Sequence, residues 1–255
     1  MTENIKQADQ ADLDGILGWL KVEYDDGEQH EERGLYGNRK VIEKHFAEEN
    51  LFVYLNGTGL PIGFITGPVW GPDILSIAPD YRGQGYGSKL AQFMISKARH
   101  EGYCAINVEC ATQGALGFWL RQGFELGKHR PSDGGSYDSI YNWLFLDYPH
   151  SLPEGQEVQV SIDFYLKGQE ADLQDPAKTQ ALKAVLAEDG VVYLSARAFF
   201  APGFYGENDS AAWLGVSYGG KSVFLGSASS PAASELGVKK SWHGFYLDQI
   251  QLLGQ

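Results

Sequence analysis

Along the first 148 residues, blocks of apolar residues switch between a helical and a strand period. After a short strand over residues 4–8, Asp12 stands as N-cap to a helix through Ile16, Leu17, Leu20 and Val22. A second helix fits residues 38–49, with Val41, Ile42, His45 and Phe46 on one face. Residues 51–55 and 62–66 read as antiparallel strands around the turn Asn56-Gly-Thr-Gly59. A fourth strand over 73–78 runs into a glycine-rich turn, and a helix over 85–101 follows with Leu90, Phe93, Met94 and Ala98 inward. Residues 104–110 alternate as a fifth strand. Strands over 124–128 and 140–146 close this part, and residues 149–155, with two prolines and a glycine, read as a linker.

The second part continues in strand-like alternation over 157–165. Asp175-Pro176 predicts a helix to Leu186, with proline at its first position. Residues 191–200 are β-like, and 213–224 fit a hairpin at Gly219-Gly220. Residues 242–253 fit helix or strand equally. The fold expected is α+β: a mixed, mostly antiparallel sheet flanked by helices, then a smaller α+β domain. The domains expected are 1–148, a linker over 149–155, and 156–255.

Composition narrows the classes. The chain has 255 residues, 43% of them hydrophobic, so it can bury a real core. No apolar run reaches the ~20 residues that span a membrane, and the first residues lack the basic start and apolar core of a signal peptide. The net charge is −13. It divides as 13 basic minus 21 acidic residues over 1–150, giving −8, and 7 minus 12 over 151–255, giving −5. With both halves acidic and no basic stripe, a nucleic-acid partner is not expected. Cys104 and Cys110 lie on one predicted strand, too far apart for a disulfide, which points to free thiols and a reducing cytoplasm. The six histidines show no metal-ligand spacing, and no metal is expected.

The chemistry centres on Asp80-Tyr-Arg-Gly-Gln-Gly-Tyr-Gly-Ser-Lys-Leu90, between the fourth strand and its helix. Gly83, Gly85 and Gly87 let a ligand approach bare backbone, and the helix start adds unpaired N–H groups and a positive dipole end, so the turn suits a phosphate. The spacing fits neither a P-loop nor a dinucleotide fingerprint. Downstream, Ala115-Leu-Gly-Phe-Trp-Leu-Arg-Gln-Gly-Phe124 reads as a short helix with Gly123 as its C-cap. The pattern Arg82-x-x-Gly85-x-Gly87, the strand after it and the short helix closing on Gly123-Phe124 together resemble the GNAT superfamily, the acyl-CoA-dependent N-acyltransferases.

That resemblance covers residues 1–148 and implies acetyl-CoA as co-substrate. It implies that backbone at Ile77 and Ala78 pairs with the pantetheine arm. It also implies that Arg82, Gly83, Gln84, Gly85, Tyr86, Gly87 and Ser88 wrap the pyrophosphate. N-acyl transfer needs a base, and the acids on the central strands are Glu109 first and Asp73 second. The family's frequent Tyr in the short helix, near the CoA sulfur, corresponds to Trp119 here, and its frequent Asn at the start of that helix to Thr112. Indole N–H is a donor but not a usable acid. The departing thiolate leaves unassisted or through water, or Tyr141 or Cys110 substitutes, or the domain binds acyl-CoA without fast turnover.

Residues 23–32 hold six acids and no Lys or Arg. They fall where the family builds its acceptor pocket, so Asp25, Asp26 and Glu28 are candidate binders of a cationic amine, either a small molecule or a Lys-bearing peptide. A charge run of this kind is also what a solvated loop shows. The leading expectation is a cytoplasmic N-acetyltransferase acting in a ternary complex. The alternative is a non-catalytic acyl-CoA sensor whose C-terminal part binds a partner. A homodimer through the aromatic clusters of that part is one candidate assembly.

Overall fold

The computed structural model describes residues 4–28, 35–110, 113–127, 140–166, 175–206 and 212–252. Its contacts divide the chain into two compact units, residues 1–102 with 106–125, and residues 103–105 with 126–255. Residues 126–148, placed with the first domain on sequence, therefore cluster with the second unit.

The first unit runs β1 (Ile5–Gln7), α1 (Gln10–Glu28), α2 (Arg39–Ala47), β2 (Leu51–Leu55), β3 (Pro61–Thr66), β4 (Ile74–Ile77), α3 (Tyr86–His100), β5 (Ala105–Cys110), whose first residue falls in the other unit, and α4 (Gln113–Arg121). β1 to β4 form one antiparallel sheet in chain order. Leu51 and Val53 of β2, Phe64 of β3 and Ile74 of β4 face α1 and α2, where they meet Leu13, Ile16, Leu20 and Ile42. The other face takes α3 through buried Leu90, Ala91 and Met94, with the rings of Phe52 and Phe93 5.1 Å apart. Helices on both faces need this two-sided burial, and β2 is accordingly almost wholly apolar (Leu-Phe-Val-Tyr-Leu).

The cap of α1 corrects the sequence reading. Asp9, not Asp12, starts the helix. The Asp9 carboxylate accepts from the Asp12 N–H (3.1 Å), and the buried Asp12 carboxylate accepts from the Asp9 N–H (2.9 Å). This is a reciprocal capping box with Asp in the usual Glu position. α1 also runs on to Glu28, so Glu23, Asp25 and Asp26 sit on a helix rather than in a loop.

The second unit continues with β6 (Glu125–Leu126), whose first residue belongs to the first unit, then β7 (Ile140–Phe145), β8 (Gln156–Leu166), β9 (Lys178–Leu186), β10 (Val191–Phe200), β11 (Ala212–Tyr218), β12 (Lys221–Ser227), α5 (Pro231–Leu236), β13 (Lys239–Ser241) and β14 (Gly244–Gln251). A seven-stranded antiparallel sheet runs in the order β12-β11-β8-β9-β10-β14-β13. One face buries Ile162, Phe164, Val192, Leu194, Phe200, Leu214, Val216 and Leu247 with Ala233 and Leu236 of α5. Two findings revise the sequence reading. Residues 178–186 are a strand, not a helix: β9 pairs with β8 over nine residues and with β10 on its other edge, and this pairing outweighs the helical spacing of Leu182, Val185 and Leu186. Residues 242–253, which fitted either state, hold a strand paired to β10. In the stretch read as linker, Pro149 bridges to Ala196 and the His150 N–H donates to Ser195 O (2.9 Å).

Candidate functional site

β4 forms one edge of the four-stranded sheet. The Ala78 N–H donates to Ile62 O on β3 (2.9 Å). In an antiparallel pair, alternate residues turn their polar groups inward, so Leu75 and Ile77 turn theirs to the open edge. Ala78, expected to meet a pantetheine arm, spends its N–H on β3 and its carbonyl on the Tyr81 N–H (2.9 Å). The outward backbone is that of Leu75 and Ile77.

Beyond β4 the chain bends through a 3-10 turn (Pro79–Tyr81) and the glycine segment into α3. Gly83 (φ 74°) and Gly85 (φ 83°) are left-handed, and a Cβ at either would meet nothing within 4 Å. Their lack of a side chain is thus a backbone requirement that leaves open space beside the loop. Gly85 caps α3 without any side-chain hydrogen bond, so the first N–H groups of a 15-residue helix face that space. A cavity of about 540 Å³ lies here, lined by Leu75, Ser76 and Ile77 of β4, Tyr81, Arg82, Gly83, Gly85, Tyr86, Gly87 and Ser88 of the loop, and Phe118 and Arg121 of α4. Of the nine residues expected to hold pyrophosphate or arm, only Gln84 and Ala78 are outside its lining. Gln84 donates to Asp80 O (3.0 Å). Ser88 accepts from Gln122 Nε2 (3.0 Å), joining the start of α3 to the end of α4. Arg121, two residues before Gly123, lines the same cavity and was not singled out on sequence.

A second cavity of about 620 Å³ shares Leu75, Arg82 and Phe118 with the first. Its other lining residues include Glu23, Asn38, Asp73, Val108, Glu109 and Trp119. Both candidate bases, Glu109 on β5 and Asp73 ahead of β4, therefore face one space. Glu109 is exposed there. Asp73 is held: His45 Nε2 lies 2.5 Å from its Oδ2, and His45 Nδ1 lies 3.2 Å from Glu48 Oε2. Of the acidic stretch, Glu23 reaches the cavity wall and pairs with Arg82 Nη2 (2.5 Å), while Arg82 Nε donates to Ile77 O (2.8 Å). Asp25 and Asp26 are exposed, and Asp25 pairs with Lys21 (2.6 Å). The side chain of Glu28 and all of Thr112 lie outside the described residues.

Trp119 is 8% exposed and packs its ring 5.0 Å from Phe118 and 4.9 Å from Phe124. The end of α4 forms the predicted glycine cap, with the Phe124 N–H reaching back to Trp119 O (3.2 Å) at Gly123 (φ 91°). Trp119 is thus fixed as part of the cavity wall.

The residues fit acyl-CoA on their own chemistry. Bare backbone N–H groups and two guanidinium groups suit phosphates, and an open strand edge suits an amide-bearing arm. Among the described residues no group of three or more His, Cys, Asp or Glu could hold a metal ion, and no helix is long and apolar enough to cross a membrane.

Residues 13–124 match the family model described as the Acetyltransferase (GNAT) family. Among curated proteins no match is found. Among solved structures, the apo form of YjaB from Escherichia coli is 22% identical, with 55% of this chain and 95% of that one covered at a TM-score of 0.41. Ard1 from Thermoplasma volcanium is 18% identical, covering 56% of this chain and 96% of that one at a TM-score of 0.43. A GNAT-family acetyltransferase from Staphylococcus aureus Mu50 is 15% identical, covering 55% and 96% at 0.43.

Proposed function

Taking residues 13–124 as a GNAT acetyltransferase domain, we propose that the chain moves an acetyl group from acetyl-CoA to the primary amine of a cationic acceptor, a small molecule or a Lys side chain, by direct attack in a ternary complex. One observation carries the reading. Two cavities meet at the edge of β4, one walled by the glycine turn and two arginines, the other by Glu23, Asp73 and Glu109.

When bound, acetyl-CoA supplies a thioester carbon open to attack and a thiolate that can leave. The backbone N–H groups of the turn and of α3 hold its phosphates, with Arg82 and Arg121 adding charge. The outward edge of Leu75 and Ile77 aligns the arm, and a β4 N–H stabilises the carbonyl oxygen as charge develops on it. The acceptor enters as an ammonium: Asp73 or Glu109 takes one of its three protons, a second ends on the departing sulfur by way of water, and the third stays on the amide nitrogen. Trp119 shapes the wall and gives up no proton. Asp25 and Asp26, exposed near the acceptor side of α1, add long-range attraction for a cation, so their amide variants should raise KM for such an acceptor at low salt. The two buried free thiols, Cys104 and Cys110, fit a reducing compartment such as the cytoplasm.

Trp119 in the position of the usual acid favours a second reading, an acyl-CoA-binding module without turnover. One experiment separates the two: acetyl-CoA turnover read as thiol release against a panel of amines, with CoA calorimetry on the same sample. Turnover with a cationic amine is the expected result. Tight CoA binding without turnover on any amine would favour the binding module, and absence of CoA binding would remove both readings.

A further inference from the structure

His45 is 4% exposed, on the face of α2 that packs on the sheet. A buried imidazole normally has one nitrogen satisfied as donor and one as acceptor. Here both ring nitrogens face carboxylates: Nε2 meets Asp73 Oδ2 at 2.5 Å and Nδ1 meets Glu48 Oε2 at 3.2 Å. A carboxylate oxygen accepts, so the ring reaches Asp73 by donating its Nε2–H. The two acids differ in what else they touch. Asp73 lines the 620 Å³ cavity with its side chain 48% exposed. Glu48 is 45% exposed at the outer end of α2 and is shared with Lys44 (3.7 Å). The arrangement is a buried ring that grips one oxygen of a cavity-facing carboxylate and is itself braced from behind by a second.

We propose that His45 is the positioning residue for Asp73, and that Asp73, so held, is the group that takes the proton from the acceptor amine. The proposal rests on the acetyltransferase reading and deepens it by choosing between the two acids of the cavity. With Oδ2 engaged by Nε2–H, Oδ1 is left for the acceptor. The acceptor enters as its ammonium and gives one of three N–H protons to Oδ1, which frees the nitrogen lone pair to bond to the thioester carbon. The carbon–sulfur bond breaks, the sulfur takes the second nitrogen proton, and Asp73 releases the first to water in the open cavity. Glu109, exposed on β5 at the wall of the same cavity, attracts the positive acceptor. A carboxylate fixed by a buried partner has its attack geometry set in advance, and that advantage appears in kcat rather than in KM.

The test is a double-mutant cycle on the full chain. Thiol release from acetyl-CoA is followed with spermidine, kanamycin and a Lys-bearing peptide as probe amines, and CoA binding is measured on every variant. Asp73→Asn is expected to lower kcat about 100-fold or more. His45→Leu keeps the buried volume and is expected to lower kcat about 30-fold, with CoA affinity and acceptor KM within about twofold. His45→Gln restores an amide N–H near the Nε2 position and should recover most of that loss. In the Asp73→Asn background, His45→Leu should cost nothing further, because the two act as one unit. Glu109→Gln should raise KM while leaving kcat within about threefold. Additive losses in the double variant, or a kcat lost in Glu109→Gln and kept in Asp73→Asn, would overturn the proposal and leave the enzyme reading intact. A wild-type protein that binds CoA yet releases no thiol with any probe, or that binds no CoA, would overturn the enzyme reading and the proposal with it.

Discussion

Arg82 belongs to both cavities, and its Nη2 pairs with Glu23. Replacing Glu23 by Gln keeps the shape and removes the charge. The pair is partly solvated, with side-chain exposures of 50% for Arg82 and 23% for Glu23. Its worth is therefore that of a screened surface pair, at most about 1 kcal/mol despite the 2.5 Å contact. If Arg82 must leave Glu23 to meet pyrophosphate, CoA binding carries that cost in the native protein and escapes it in Glu23→Gln. The expected change is a CoA Kd tighter by up to about fivefold, since 1.4 kcal/mol is tenfold. The same substitution removes one of three carboxylates from the acceptor cavity, so KM for a dicationic amine should rise about threefold. Opposite movements of two ligands from one charge change are hard to produce by general damage to the fold. Calorimetry with CoA at about 50 and 300 mM salt reads the first effect, which should shrink at the higher salt. Thiol-release kinetics read the second. In an Arg82→Ala background, Glu23→Gln should leave CoA affinity unchanged. An unchanged or weaker CoA Kd in Glu23→Gln alone would refute the reasoning and place the Arg82 side chain outside the phosphate site.

Three further outcomes are expected. Gly85→Ala forces a side chain into φ 83°, so chemical denaturation should show a loss of about 1 kcal/mol, and CoA affinity should fall at least as far as the α3 cap shifts; unaltered CoA binding would count against the glycine turn as its site. Arg197 is bidentate to Asp248 (2.8 and 3.0 Å) and lies between the rings of Tyr148 (4.4 Å) and Tyr246 (4.2 Å), so Arg197→Met should destabilise the second unit by about 2–4 kcal/mol by leaving Asp248 poorly paired, while CoA calorimetry stays as in the native chain. Burial raises the Cys104 thiol above its ordinary range. The folded state then keeps its proton where the unfolded chain, at about pH 8.5 and above, loses it. The stability from this group is whole below that pH and falls as pH rises toward the raised value. Native protein should accordingly resist alkylation of Cys104 at neutral pH, and rapid labelling without unfolding would contradict its burial.

What could be read from sequence, and what could not, follows from the range of the interactions involved. The phosphate-binding turn was legible because its requirements are local. Left-handed backbone at Gly83 and Gly85 and an uncapped helix start leave their mark within a dozen consecutive residues. The Gly123 cap of α4 was legible for the same reason. α5, which the sequence reading left unassigned, carries the same kind of local signal, with Ser230 as N-cap, Pro231 at the first position and Gly237 beyond the end. β9 shows the limit of local reading. Its apolar spacing and its Asp-Pro opening fit a helix, and only the strands on both sides, separated from it by loops, make it a strand. The catalytic surroundings were the least legible. Glu23 and Arg82 are 59 positions apart and His45 and Asp73 are 28 apart, so neither pair leaves a pattern in spacing or composition. His45 read as one more position on the inner face of a helix, and only the structure brings a carboxylate to each of its ring nitrogens. The acidic stretch was legible as charge but not as geometry. Once α1 runs on to Glu28, helical phase rather than net charge decides which acid reaches the cavity, and it selects Glu23 while leaving Asp25 and Asp26 in solvent.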